Sequence, residues 1–262
     1  MIITLTGVSK GRRGSALPET SIEFSSGRAS LAVAETAQRP SVLGLIASGR
    51  MRPDTGEVLI DGETDYPQMR RRIALIDAPD VNDPDVDVTV HGVVAEELMF
   101  AGRPAGPIAT RRAIAELGFD DWQSWTIGTV PAIVRVRLLT ELATMRKGVD
   151  ALVLTAPDRH GGDPADWWTR ASDLAARGFA VLVIAGVASA TALGVPAIAG
   201  GIFHSPAIGA SSPQAIAAHD SQLALERERE VERERDRERP GGSDPADYTA
   251  RDAGHDSGPD PD

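Results

Sequence analysis

Histidine and its charged neighbours offer this sequence its clearest chance of chemistry. In Pro157-Asp158-Arg159-His160-Gly161-Gly162-Asp163 a single imidazole stands among charged residues and glycines. Imidazole titrates near about pH 6.5, so His160 has the right chemistry for a general base. No metal-ligand spacing accompanies it, and the expectation is a solvated loop histidine. His219-Asp220-Ser221 has the residue types of a hydrolytic triad. Consecutive residues of a helix point in different directions and cannot hydrogen-bond in series, so no triad is expected there. The chain has no cysteine, which excludes disulfides, thiolate zinc sites and a cysteine nucleophile together. The four tryptophans are Trp122, Trp125, Trp167 and Trp168. Packing into the core is expected of at least one, and an exposed Trp167 or Trp168 would anchor an interface.

The elements that must position these residues follow from composition and periodicity. Hydrophobic residues make up 42% and charged residues 25% of 262, enough apolar material for a sizeable core. The net charge of −11 is concentrated at the C-terminal end. Residues 240–262 carry six aspartates against Arg251 alone, a net −5, and 226–239 carry seven acids against six arginines. The remaining body is mildly acidic, which argues against nucleic acid as a partner. No run of about 18 apolar residues exists, so no membrane insertion is expected. The N-terminus lacks a signal peptide's basic and apolar regions, and a cytoplasmic location is expected.

Met1–Val8, Ser21–Phe24 and Ala29–Val33 read as strands, and Ser41–Arg50 as a helix leaving the third. Val58-Leu59-Ile60 ends in the turn dipeptide Asp61-Gly62, and Ile73–Ile76 reads as a strand after Arg70-Arg71-Arg72. Helical periodicity marks Val90–Ala101, Thr110–Leu117, Ala132–Lys147 and Ala165–Arg177, with Gly178 as the stop of the last. Ala151–Leu154 and Ala180–Ala185 are apolar throughout, as strands buried on both faces must be. The fold class is therefore α/β, with a parallel sheet. The alternating acids and arginines of 226–239 predict a charged C-terminal helix within 206–239, and 240–262 predicts a disordered acidic tail.

In this order the segments resemble the ATP-binding cassette ATPase, the nucleotide-binding domain of ABC transporters, over about residues 1–205. The matching framework includes Gly7-Val8-Ser9-Lys10, Arg52-Pro53-Asp54-Thr55-Gly56-Glu57-Val58, Asp61-Gly62 and Val88-Thr89-Val90 before a helix bearing Glu97-Leu98. Further on come Arg135-Val136-Arg137-Leu138-Leu139 and Leu152-Val153-Leu154 with Pro157 and Asp163-Pro164. The resemblance implies a P-loop NTPase-like core with a helical subdomain at about 90–147.

The residues that carry the family's chemistry are missing. Its phosphate loop, GxxGxGK[ST][ST], aligns with Val33-Ala34-Glu35-Thr36-Ala37-Gln38-Arg39-Pro40-Ser41. Thr36 and Gln38 replace glycines that let successive N–H groups turn inward on phosphate. Arg39 stands at the lysine position, Pro40 at that of the magnesium-binding hydroxyl, and Glu35 adds negative charge. Thr155 and Ala156 stand where the family has Asp-Glu, Gly186 at the switch histidine and Ala78 at the γ-phosphate-sensing glutamine. The signature LSGGQ reads Gly128-Thr129-Val130-Pro131-Ala132, and no aromatic lies between Lys10 and Ala16 to stack on adenine.

The expected function is that of an ABC transporter ATP-binding-protein-like subunit acting as a pseudo-ATPase, a binding or regulatory module beside a membrane protein. No catalytic residue, metal site or cofactor is expected, and Arg39 and Ser41 are vestigial phosphate-loop positions. The alternative is an active ABC ATPase using Mg-ATP, with Arg39 and Ser41 on phosphate and His160 as base. A cytoplasmic scaffold without a membrane partner is the second alternative. The partners admitted are an integral membrane protein, which would hold the chain at the inner face of the membrane, and a second copy of the chain.

Overall fold

Alternating burial builds the first sheet. In β1 (Ile2–Lys10), Ile3, Leu5 and Val8 point inward, and in β2 (Leu17–Ser25) Leu17, Ile22 and Phe24 do the same. The computed structural model describes residues 1–35, 38–194 and the backbone of 202–204. All of these lie in the first of two compact units, Met1–Ser211, and the expected helix at 206–239 and tail at 240–262 lie outside the described residues.

The chain continues through β3 (Arg28–Val33), α1 (Arg39–Ala47), β4 (Thr55–Ile60), α2 (Tyr66–Arg72) and β5 (Ile73–Ile76). Then come α3 (Val90–Phe100), α4 (Pro107–Leu117), α5 (Ala132–Thr144), β6 (Ala151–Thr155), α6 (Pro164–Ala176), β7 (Ala180–Ala185), α7 (Val187–Ala192) and β8 (Ile202–His204). Two sheets result. The first is antiparallel in the order β2-β1-β4, with Ile3 opposite both Phe24 and Ile60. The second has the order β5-β6-β7-β3-β8, parallel except for β8.

Helix α1 lies between the sheets. Its Leu43 and Ile46 join Ile3, Phe24, Leu75, Val153, Leu182 and Ile184 in one core. Leu152, Leu154, Val181 and Val183 point the other way and are also buried, on the face covered by α5 and α6. That two-sided burial is why β6 and β7 contain no polar residue before Thr155. The α/β class and P-loop NTPase-like architecture expected of the sequence are therefore present.

Several boundaries differ from expectation for local reasons. Helix α1 starts at Arg39 rather than Ser41, because Pro40 in its first turn presets φ and needs no N–H partner there. Helix α2 was not anticipated. It is short, buries only Met69, and starts where the Asp65 side chain accepts from the Gln68 N–H at 2.8 Å. Helix α5 ends at Thr144, and α7 and β8 are elements the periodicity did not reveal.

Gly44 sets the distance between α1 and the parallel sheet. A Cβ there would stand 2.9 Å from Leu75 Cδ1 and 3.0 Å from Thr155 Oγ1. Gly44→Leu should lower stability by about 3 kcal/mol through overpacking, whereas Ala115→Leu, exposed on α4, should change it by less than about 0.5 kcal/mol. Chemical denaturation of both variants checks this.

Candidate functional site

Parallel strands deliver their following loops to one edge of the sheet, the usual place for ligands in open α/β folds. Here β5 is followed by Asp77, β6 by Ala156 and the 3-10 turn Pro157–His160, β7 by Gly186 and α7, and β3 by Ala34 and Glu35. Asp77 and Ala156 both hold left-handed backbone, with φ of 55° and 47°. Non-glycine residues adopt it only where the surroundings hold them in place.

Asp77 is the centre of that edge. It is only 2% exposed, as is Arg135 in the first turn of α5. The Arg135 guanidinium donates to both carboxylate oxygens, Nη2 to Oδ1 at 2.7 Å and Nε to Oδ2 at 3.0 Å. Its Nη1 donates to the Ile127 carbonyl at 3.2 Å. Arg159 Nη2 reaches Asp77 Oδ1 at 3.0 Å and Asp83 Oδ2 at 3.2 Å. His160 Nε2 lies 2.9 Å from Asp77 Oδ2 and 3.0 Å from Arg159 Nε. With its proton on Nε2 it donates to the carboxylate, and without that proton it accepts from the guanidinium, so it serves one neighbour at a time.

Burial pushes the Asp77 carboxyl upward. The hydrogen bonds from His160 and Arg135 and the charges of Arg135 and Arg159 outweigh burial and hold it at about 2. Asp77 and Asp83 balance Arg135 and Arg159, so the cluster closes on itself. His160 is thus a partner of Asp77 with a side chain 22% exposed, and the expectation of a solvated loop histidine is corrected. The turn at Pro157–His160 brings it back over the end of β5.

Two more carboxylates cap the start of α7. Asp158 Oδ2 accepts from the Gly186 N–H at 2.8 Å and from the Ser189 hydroxyl at 3.0 Å. Glu35 Oε1 accepts from the Val187 N–H at 2.5 Å. Backbone amides that would attract an external anion are therefore taken by the chain's own acids. Beside Glu35 lies a cleft of about 250 Å³, lined by Leu17, Thr20, Val33, Arg39, Leu43 and Val187 among others.

Arg39 is half-buried in that cleft, and among the described residues its side chain has no hydrogen bond or ion pair. Ser41 is buried and donates its hydroxyl to the Pro79 carbonyl at 2.9 Å. The two residues share the start of α1 but are not brought together on one ligand position. Thr155 is fully buried with its hydroxyl unpartnered among the described residues, and Ala156 offers no polar side chain. Trp167, in the first turn of α6, is 2% exposed: the core packing expected of at least one tryptophan is found there, edge-on to half-buried Trp168, and of the two only Trp168 could serve as an interface anchor. No group of His, Asp and Glu fit to hold a metal occurs among the described residues.

Sequence reasoning missed Asp77, Arg135, Arg159, Asp83 and Asp158 as a group. Two local signals were present: an acid directly after the apolar strand Ile73–Ile76, and two arginines, Arg135 and Arg137, inside the otherwise apolar run Ile133–Leu139.

No protein-family model matches the chain, and no curated protein matches it. Solved structures do. An ATP-binding subunit of an ABC transporter is 17% identical with a TM-score of 0.50, over 72% of this chain and 82% of that one. A dimeric bacterial ABC transporter cassette is 16% identical at 0.51, over 72% and 90%. A nucleotide-free cassette from an ABC transporter is 17% identical at 0.52, over 71% and 81%. Identities this low speak for fold alone. The chain has the fold of the ABC ATP-binding cassettes.

Two predictions follow from the edge of the sheet. Because Asp77's folded pKa lies below its ordinary 3.8, its contribution is complete above about pH 5 and is lost as pH falls toward about 2. Asp77→Asn should remove that dependence and lower stability at pH 7 by about 3 kcal/mol, because Arg135 stays buried without its counter-charge. Urea titrations from pH 7 to 3 check both effects. Thr155→Val keeps the shape while deleting an unpartnered buried hydroxyl, and should raise stability by about 1 kcal/mol in the same assay.

Proposed function

We propose that the chain is a cassette-type subunit that works as a binding or regulatory module beside a membrane protein and does not hydrolyse ATP. The observation that carries this reading is the charge at the sheet edge. Glu35, Asp77 and Asp158 occupy the ends of β3, β5 and the β6 turn, each already bonded within the chain. A triphosphate placed there would meet carboxylates where it needs donors, and it would have to displace Glu35 and Asp158 from the amides at the start of α7.

The catalytic side supports the same reading. Thr155 and Ala156 hold the positions at which the family carries its magnesium-holding and water-polarising acids. A positioned general base alone is worth about 10²- to 10⁴-fold in rate. His160, the substitute base of the competing ATPase reading, is engaged with Asp77, and Ser41 is engaged with Pro79. Only Arg39 is left to that reading. The membrane partner rests on the neighbours' description as subunits and cassettes of ABC transporters. No helix among the described residues is long and apolar enough to cross a membrane, so attachment to the inner face would run through that partner. A second copy of the chain is the other partner this fold admits.

ATP also lacks the means to drive association here, because a ligand shifts an equilibrium only by binding one state better. Calorimetric titration of the full chain with Mg-ATP should give no saturable binding at millimolar nucleotide and no phosphate release. Light scattering should give the same mass with and without Mg-ATP. Micromolar binding with turnover abolished by Arg39→Ala would establish the ATPase reading instead. Failure to co-purify with any protein from solubilised membranes would favour the scaffold.

A further inference from the structure

A separate set of polar side chains converges where the first turn of α3, the first half of α4 and residues 123–124 meet. A shallow depression of about 640 Å³ there is lined by Thr89, His91, Arg111, Gln123 and Ser124. Every one of these side chains can donate a hydrogen bond, and none is a carboxylate or an apolar group. Several arginines elsewhere are paired: Arg112, the next residue, bonds Glu116 at 2.8 Å, Arg146 bonds Glu97, and Arg170 and Arg177 share Glu141.

Among the described residues, the side chains of His91, Arg111, Gln123 and Ser124 make no hydrogen bond or ion pair. Thr89 Oγ1 accepts from the Gly92 N–H at 3.2 Å and keeps its own hydroxyl proton to donate. The nearby backbone is satisfied, with the Val90 N–H on the Trp125 carbonyl and the His91 N–H on the Gln123 carbonyl. The end of α3 therefore contributes nothing by itself, and the surplus donors belong to the side chains.

We propose that this depression binds a phosphate group carried by a small polar molecule. A phosphate presents only acceptors, and the guanidinium of Arg111 can meet two of its oxygens at once. The space exceeds what a bare phosphate fills, which leaves room for a hydroxylated carrier such as glycerol or a sugar. The inference goes beyond the reading of the sheet edge and does not depend on whether ATP binds there.

Amide NMR of the full chain, titrated with inorganic phosphate and with glycerol 3-phosphate at constant ionic strength set by chloride, tests it. Saturable shifts at His91, Gln123 and Ser124 are expected with both probes, with the tighter binding to glycerol 3-phosphate. Arg111→Gln should weaken binding about tenfold by removing a charge-assisted pair, while Arg112→Gln should leave it unchanged. No saturation, or the same loss from both variants, would overturn the site. Equal affinity for the two probes would overturn the organic carrier and leave inorganic phosphate as the ligand.

Discussion

Asp77 and Arg135 are 58 residues apart in sequence, one just past the end of β5 and the other in the first turn of α5, and both are withdrawn from water. A buried ion pair contributes little net stability compared with apolar packing, since desolvation offsets the attraction. Its effect is positional. The planar fork of arginine meets a carboxylate in one geometry only, so the pair fixes where α5 starts relative to the parallel sheet. Arg135 also holds the Ile127 carbonyl, and Arg159 joins Asp77 to Asp83. Four segments of chain are thereby tied at one point: the end of β5, residue 127, the turn after β6 and the start of α5.

The tie also decides what the sheet edge can receive. In an open α/β fold the loops after parallel strands are free to take residues that hold a ligand, because the core lies below them. Here those loops carry side chains that hold one another. Asp77 is bonded to Arg135, Arg159 and His160, Asp158 and Glu35 occupy the amides of α7, and Ser41 is committed to Pro79. Asp77 and Ala156 hold left-handed backbone at this edge. The strain at these two residues is borne by the ion cluster and by burial.

Much of the fold was legible because burial leaves a mark on composition. Leu152–Leu154 and Ala180–Ala185 could only be strands covered on both faces, and Gly178, with φ of 99°, could stop α6. Helix α2 escaped because Tyr66–Arg72 contains a proline and three arginines and buries a single residue, so no apolar stripe forms. Helix α7 escaped because alanine, serine and threonine have no strong period. The candidate site was less legible for a different reason. Asp77, Arg135, Arg159 and His160 come from segments far apart in sequence, and no local pattern records a pairing set by tertiary geometry. Departures from the resembled motifs can be read one position at a time, whereas the contacts that these residues make can be read only in three dimensions.

The central claim is that the chain's own ion cluster, without any ligand, holds α5 and the turn after β6 against the sheet. Hydrogen exchange of the ligand-free protein tests this most directly, read at the amides of Ala156, Arg159 and Gly161 and of the first bonded turn of α5. Protection comparable to that of β6 and β7, unchanged by millimolar Mg-ATP, is the result this account predicts. Rapid exchange at those amides in the free protein, slowed when Mg-ATP is added, would contradict it.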